Sequence, residues 1–164
     1  SEWRIPYWIG FNYYQSGDYL RAAQYYKEAS ALPGAPEFLK SNPAVFYYRA
    51  GRAELGVMYL RGLLGTLKEK RQAEWLKLKL AWLENIVILE KKVEEFKRSL
   101  GYPPQNLEEL IARGLIPGIP RDTFGNGYYL DRESGRVKSR FGSSAKQSQP
   151  NSSCSRCEDG SPNQ

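Results

Sequence analysis

The amino-acid sequence predicts a mainly α fold: two helical hairpins, a long capping helix and a small C-terminal β-hairpin. Three observations predict it. Chemically similar residues recur at a spacing of 34 in the first part of the chain. Residues 69–100 contain neither Gly nor Pro and have apolar residues at helical spacing. Two short strand-like runs then flank the turn residues 131–135.

The 34-residue period indicates a repeated helical hairpin. Small residues recur at Ala22 and Gly56, where two helices must approach closely, and bulky residues recur four positions later at Tyr26 and Leu60. A separation of four places both residues on one helical face. The remaining pairs are Tyr13 with Tyr47, Tyr14 with Tyr48, Gly17 with Gly51, and Ala29 with Leu63.

Turn residues bound the first hairpin. We expect helices over residues 5–16 and 19–31, separated by a turn at Gly17. Pro33 and Gly34 end the second helix, because Pro lacks a backbone donor and Gly adopts backbone conformations that other residues avoid.

In the second hairpin, Asn42 predicts an N-cap and Pro43 the first helical position. Gly51 ends that helix, and its partner is expected over residues 52–66.

The long helix is predicted over residues 69–100. The apolar positions that define its spacing include Leu76, Leu80, Leu83 and Val87. We expect Trp75 and Trp82, seven residues apart, to pack on Leu60 and Leu64. Interleaved Lys and Glu residues give the helix the polar outer face that the end of a helical array requires.

A short helix and a hairpin follow. Asn106 predicts the cap of a helix over residues 107–113, and strands on either side of residues 131–135 predict a β-hairpin. Because an isolated two-stranded hairpin is only marginally stable, it must pack on the long helix. The sequence thus divides into helical hairpins (1–68), a long helix with the C-terminal elements (69–141) and a polar tail (142–164).

Composition argues against several functions. The net charge of +6 arises from mixed Lys and Glu, which favours a solvated helix face over a nucleic-acid site and leaves an acidic protein or a membrane surface as alternative partners. The chain has no His and no spacing typical of a catalytic or cofactor site, so no enzyme and no cofactor are predicted. Cys154 and Cys157 lie in the polar tail, where disorder is favoured over a metal or redox site and a disulfide is the minor alternative.

The first copy resembles a tetratricopeptide repeat. The residues that match the family pattern are Gly10, Tyr13, Gly17, Tyr19, Ala22, Tyr26 and Ala29. The second copy matches mainly at Tyr47, Gly51, Gly56 and Leu60. The resemblance implies a non-enzymatic scaffold that binds another protein in a concave groove.

The resemblance also implies which side chains line that groove. In this family the first helix of each hairpin faces the partner. The implied contacts are Tyr7, Phe11, Tyr14 and Gln15 in the first copy and Phe38, Val45, Tyr48 and Arg49 in the second. One subfamily binds a C-terminal carboxylate through an Asn where Phe11 stands, so an aromatic groove for an apolar or extended segment is expected instead.

Residues 101–139 resemble the C-terminal part of type II secretion pseudopilins, through Tyr102-Pro103, Leu107-Glu108-Glu109-Leu110 and Pro120-Arg121-Asp122-Thr123-Phe124-Gly125-Asn126. Some members bind calcium here, and Asp122, Asn126 and Asp131 are candidate oxygen ligands. Three are too few for calcium, so turn hydrogen bonds are favoured for Asp122 and Asn126 and no metal is predicted.

The two resemblances together imply a bacterial protein of the cell envelope or periplasm with a membrane anchor upstream of Ser1; a cytoplasmic location is the alternative. The competing function is a structural subunit that assembles into an oligomer or filament. An open array edge at Trp3 and Trp8 would favour self-association.

Overall fold

The computed structural model describes residues 2–67 and 70–140, which form six α-helices and one two-stranded antiparallel sheet. The elements are α1 (Arg4–Ser16), α2 (Tyr19–Ala31), α3 (Phe38–Arg49), α4 (Ala53–Thr66), α5 (Lys70–Leu100), α6 (Glu108–Ala112), β1 (Tyr128–Asp131) and β2 (Arg136–Ser139). Helices α1 to α5 pack consecutively on one another. The predicted class, two helical hairpins with a long helix and a small β-hairpin, is confirmed.

The sequence period reappears in the hydrogen bonds of the two interhelical turns. The N–H of Gly17 donates to the Tyr14 carbonyl, and the N–H of Gly51 donates to the Tyr48 carbonyl. Both glycines have a left-handed backbone, with φ of 82° and 70°. Such a backbone favours Gly, which explains why Gly recurs at this point of each hairpin.

The small residues of the period lie where helices approach closely. Ala22 is fully buried. A Cβ atom added to Gly56 would lie 2.9 Å from Leu83 Cδ1 and 3.0 Å from the Ala44 carbonyl oxygen. Three helices, α3, α4 and α5, therefore meet at a point that has no room for a side chain.

Helix α3 begins five residues before the predicted start. The N–H groups of Leu39 and Lys40 donate to the carbonyls of Pro36 and Glu37, which forms the first turn. Leu39 is fully buried between the first and second hairpins. The predicted N-cap at Asn42 is wrong, because burial of Leu39 requires an earlier helix start and outweighs the ladder hydrogen bond that Pro43 lacks.

Helix α5 forms the centre of the larger of two core clusters in the described chain. Its buried apolar residues are Leu76, Trp82, Leu83, Ile86, Leu89, Val93 and Phe96. Trp82 and Leu60 both belong to this cluster. Trp75, in contrast, is 49% exposed and contacts Phe124, with the ring centroids 5.3 Å apart.

The C-terminal elements pack as the sequence predicts. Asn106 Oδ1 accepts a hydrogen bond from the Glu109 N–H at 3.1 Å, at the start of α6. Strands β1 and β2 pair antiparallel, and Val137 of β2 is fully buried against the core around α5.

A second, smaller cluster joins α1, α2 and α3 and includes Ala22, Tyr26, Leu39 and Phe46. None of the described helices is long and apolar enough to cross a membrane. The tail predicted over residues 142–164, with Cys154 and Cys157, lies outside the described residues.

Candidate functional site

A row of aromatic side chains runs along α1 and is the largest group of predicted contact residues that the structure brings together. Tyr7, Phe11 and Tyr14 are one helical turn apart and partly exposed. The ring centroids of Tyr7 and Phe11 are 6.4 Å apart, and those of Phe11 and Tyr14 are 6.2 Å apart. These three residues are called the aromatic row below.

The outer side of α1 extends this apolar surface. Ile5 is 69% exposed and Trp8 is 56% exposed. The Trp8 ring packs edge-on against Tyr7 and Phe11, with centroid distances of 5.2 and 5.6 Å. The aromatic row and Trp8 therefore form one continuous surface along α1.

Arg49 of α3 closes one end of the aromatic row. Its Nη1 donates to the Tyr14 hydroxyl at 3.4 Å, and its guanidinium carbon lies 5.5 Å from the centre of the Tyr14 ring and 5.8 Å from that of Tyr19. Contacts between a cation and aromatic faces restrain both partners. Two further predicted residues lie on the same helices: Gln15 is exposed, and Val45 is partly exposed.

Tyr48 is in contact with the chain's own β-hairpin. Its hydroxyl accepts the Ser139 N–H at 3.2 Å, and its ring lies edge-on to Trp82 at a centroid distance of 4.9 Å. Burial raises the pKa of the Tyr48 hydroxyl above its usual value. Trp82 Nε1 also donates to Ser139 Oγ at 2.7 Å, and Glu90 Oε1 accepts the Val137 N–H at 3.3 Å. Strand β2 thus covers the part of the predicted groove where Tyr48 lies.

Phe38 lies at the opposite end of α3 from Arg49, about 16 Å along the helix axis. It is exposed and lines a separate cavity of about 600 Å³, together with Trp75 and Lys79 of α5. The structure therefore brings together Tyr7, Phe11, Tyr14 and Arg49 and places Phe38 at the other end of α3. Tyr48 lines a further cavity of about 360 Å³ with Arg49 and residues of β2.

Lys79, which lines the cavity next to Phe38, is a residue that the sequence analysis missed. Its side chain is only 6% exposed, and its Nζ donates to Ser41 Oγ at 2.8 Å. Burial lowers the pKa of Lys79 from 10.5 to about 8. The signal in the sequence is its position: residue 79 lies between Leu76 and Leu83 at separations of three and four, which places it on the apolar face of α5.

The candidate calcium ligands take part in local turns. Asp122 Oδ1 accepts the Phe124 N–H at 2.8 Å, and Asn126 Nδ2 donates to the Phe124 carbonyl at 3.2 Å, so the predicted turn hydrogen bonds are present. Asp131 accepts hydrogen bonds from Lys138 Nζ at 2.5 Å and from Ser134 Oγ, and these bonds together lower the Asp131 pKa to about 2. Within residues 2–67 and 70–140, no three acidic or Cys side chains converge as a metal site would require.

No family model, curated protein or solved structure matches this chain significantly. What the protein binds must therefore be inferred from its exposed side chains and its cavities. The described residues present an apolar surface on α1 and a cavity that contains Lys79.

Proposed function

We propose that this protein is a non-enzymatic scaffold that binds an apolar, extended segment of a partner protein along the aromatic row of α1. The observation that supports the proposal most directly is the continuous, partly exposed surface of Tyr7, Trp8, Phe11 and Tyr14. Aromatic side chains provide a disproportionate share of the binding energy at protein interfaces. They lose little conformational entropy when they are covered, because only two side-chain torsions become fixed.

The row is also held in place before any partner binds. Neighbouring rings pack against one another along α1, and Arg49 fixes Tyr14 from the adjacent helix α3. A preformed surface loses less entropy on binding than a flexible one. The segment that fits it would lie along α1 and place apolar side chains between successive rings.

The tetratricopeptide resemblance supports this assignment, because the repeated turn hydrogen bonds at Gly17 and Gly51 follow the same 34-residue period as the sequence. The proposal includes a bacterial cell-envelope or periplasmic location. That part rests on the tetratricopeptide resemblance and on the resemblance of residues 101–139 to pseudopilins, taken together.

Affinity capture with matched variants tests the proposed surface. The wild-type chain, Phe11→Ala and Met58→Ala are immobilised and exposed to the same bacterial envelope extract. Met58 is an exposed apolar residue of α4, away from the aromatic row, and serves as the control. We expect a protein that is retained by the wild type and by Met58→Ala and is lost with Phe11→Ala, because truncating an aromatic anchor costs about 2 kcal/mol or more, roughly a thirtyfold loss of affinity.

Helicity by circular dichroism must be the same for the three chains. Equal retention by Phe11→Ala and the wild type would contradict the proposal.

A second candidate function is self-assembly, and the observation that favours it is the exposure of Ile5 and Trp8 on a helix that packs mainly on α2. Light scattering over a wide range of protein concentrations distinguishes the two functions. An oligomer that dissociates on Trp8→Ser substitution would identify a structural subunit. A monomer at every concentration would rule that function out for this chain.

A further inference from the structure

The cavity around Lys79 has the properties of a small-molecule site. It lies between the start of α3, the end of α4 and the first turns of α5, and its volume is about 600 Å³. Binding sites for small molecules typically have volumes of roughly 300–1,000 Å³ and mainly apolar walls with a few polar groups. The apolar walls here are Phe38, Leu63, Leu67, Trp75 and Leu76.

Lys79 is a buried cation without a counter-ion in the described part of the chain. An ammonium group has three donors, and the structure pairs Lys79 Nζ with one neutral acceptor, the Ser41 hydroxyl. A charge removed from water without an opposite charge destabilises the fold. An anion next to Nζ would remove much of that cost and would satisfy the remaining donors.

The other charged groups around the cavity leave it positive. On α3, Lys40 Nζ forms an ion pair with Glu37 Oε1 at 2.7 Å, so these two charges offset each other. On α5, Arg71 adds a further positive charge at the rim. Helix α4 contributes the uncharged residues Leu63 and Leu67. The cavity therefore combines apolar walls with an excess of positive charge at its base and rim.

We propose that this cavity binds a small amphiphile with one anionic head group, of the kind represented by a medium-chain fatty acid. The head group forms an ion pair with Lys79 Nζ and accepts a hydrogen bond from it. The apolar chain lies between the exposed rings of Phe38 and Trp75. This proposal is independent of the partner surface on α1, which involves none of these residues.

Titration calorimetry with decanoate tests the proposal, and decanol serves as the uncharged ligand of the same length. We expect decanoate to bind the wild type with one site and decanol to bind more weakly. Lys79→Met keeps the apolar stem and removes the charge, so it should weaken decanoate binding by roughly 10- to 100-fold, the usual loss for a hydrogen bond to a charged group. It should leave decanol binding unchanged.

Two further variants check where the apolar chain of the ligand lies. Phe38→Ala should weaken both ligands, whereas Ile88→Ala, at an exposed position of α5 outside the cavity, should leave both unchanged. Lys79→Met removes a buried, uncompensated charge and should remain folded, which circular dichroism verifies. Absence of decanoate binding to the wild type, or equal affinity of the wild type and Lys79→Met, would overturn the proposal.

The pH dependence gives an independent readout. The affinity for decanoate should be constant between pH 6 and 7 and should fall above about pH 8, where Lys79 loses its proton. The other charged groups that line the cavity are the ion-paired Lys40 and Glu37 and the guanidinium of Arg71. A pH-independent affinity would show that the head group does not meet Lys79.

Discussion

Gly56 and Gly62 of α4 differ in what surrounds them. A Cβ atom at Gly56 would meet Leu83 and the Ala44 carbonyl, whereas nothing lies within 4 Å of such an atom at Gly62. We expect Gly62→Ala to stabilise the protein by about 0.5–1 kcal/mol, because Ala loses less backbone entropy in a helix. Gly56→Ala should destabilise it by about 1–3 kcal/mol through steric strain. Urea unfolding of the two variants measures both values, and equal effects would show that the close approach is absent.

Lys79 makes stability depend on pH. Its pKa is lowered on folding from 10.5 to about 8, so between these pH values the unfolded chain binds more protons and the free energy of unfolding rises with pH. A shift of this size corresponds to about 3 kcal/mol. Lys79→Met should therefore be more stable at pH 7 by up to that amount and should lack the rise above pH 8.

Unfolding curves of the wild type and of Lys79→Met, recorded from pH 7 to 10, give the difference in their free energies of unfolding directly. The buried tyrosines Tyr59 and Tyr128, with pKa values raised to about 12 by burial, affect both proteins equally and cancel. Parallel stability curves would mean that Lys79 is solvated in the folded state.

Among the helices, the ends that are set by local sequence signals were predictable from the sequence. The ends that depend on packing between helices were not. The turn glycines and the apolar periodicity fix α1, α2, α4 and α5, whose ends lie within one residue of the predicted ones. The start of α3 depends on burial of Leu39 against α2, a contact that no local pattern reports. Lys79 shows the same limit, since the apolar face of a helix can be read from spacing but the burial of a charge on it cannot.

The β-hairpin provides a test of packing at this scale. Val137 is fully buried and Tyr129 is exposed on the same hairpin. Val137→Ala removes buried methyl groups and should destabilise the hairpin by about 2 kcal/mol, at the lower end of the cost of large-to-small core substitutions. Hydrogen exchange of the strand amides should accelerate in Val137→Ala and stay unchanged in Tyr129→Ala. Unchanged exchange in both would show that β2 does not depend on the core around α5.

For the whole molecule, the described residues form two core clusters of unequal size. The larger one joins α5 to α3, α4, α6 and the hairpin, and the smaller one joins α1 and α2 to α3. Helix α1 contributes one buried residue, Gly10, whereas α5 contributes eight. Regions with few buried contacts open at a lower free energy than the core.

We therefore expect the amides of α1 to exchange through local opening and those of α5 to exchange only on global unfolding. Native-state hydrogen exchange at increasing denaturant concentration separates the two. Phe96→Ala, in the larger cluster, should lower the protection of α5 and leave that of α1 nearly unchanged. Uniform protection of both helices would indicate one cooperative unit.

Only part of the candidate partner surface could be predicted, because a repeat pattern reports local spacing and not long-range packing. A repeat pattern predicts that the first helix of each hairpin lies on one face, and Tyr7, Phe11 and Tyr14 lie next to one another along α1. The pattern cannot show that β2 covers Tyr48, because the hydrogen bond between Ser139 and Tyr48 joins residues 91 positions apart.

That contact also has a consequence for the order of folding. Helices α1 to α5 are complete at Leu100, and each packs on its neighbour in sequence, so they can assemble while later residues are still being synthesised. Strand β2 reaches Tyr48 and Trp82 only after residue 139 has left the ribosome. Until then these two aromatic side chains lack the hydrogen bonds that Ser139 makes with them in the complete fold. Closing such a distant contact is slower than forming a helical hairpin, so docking of β2 is the step that completes the fold.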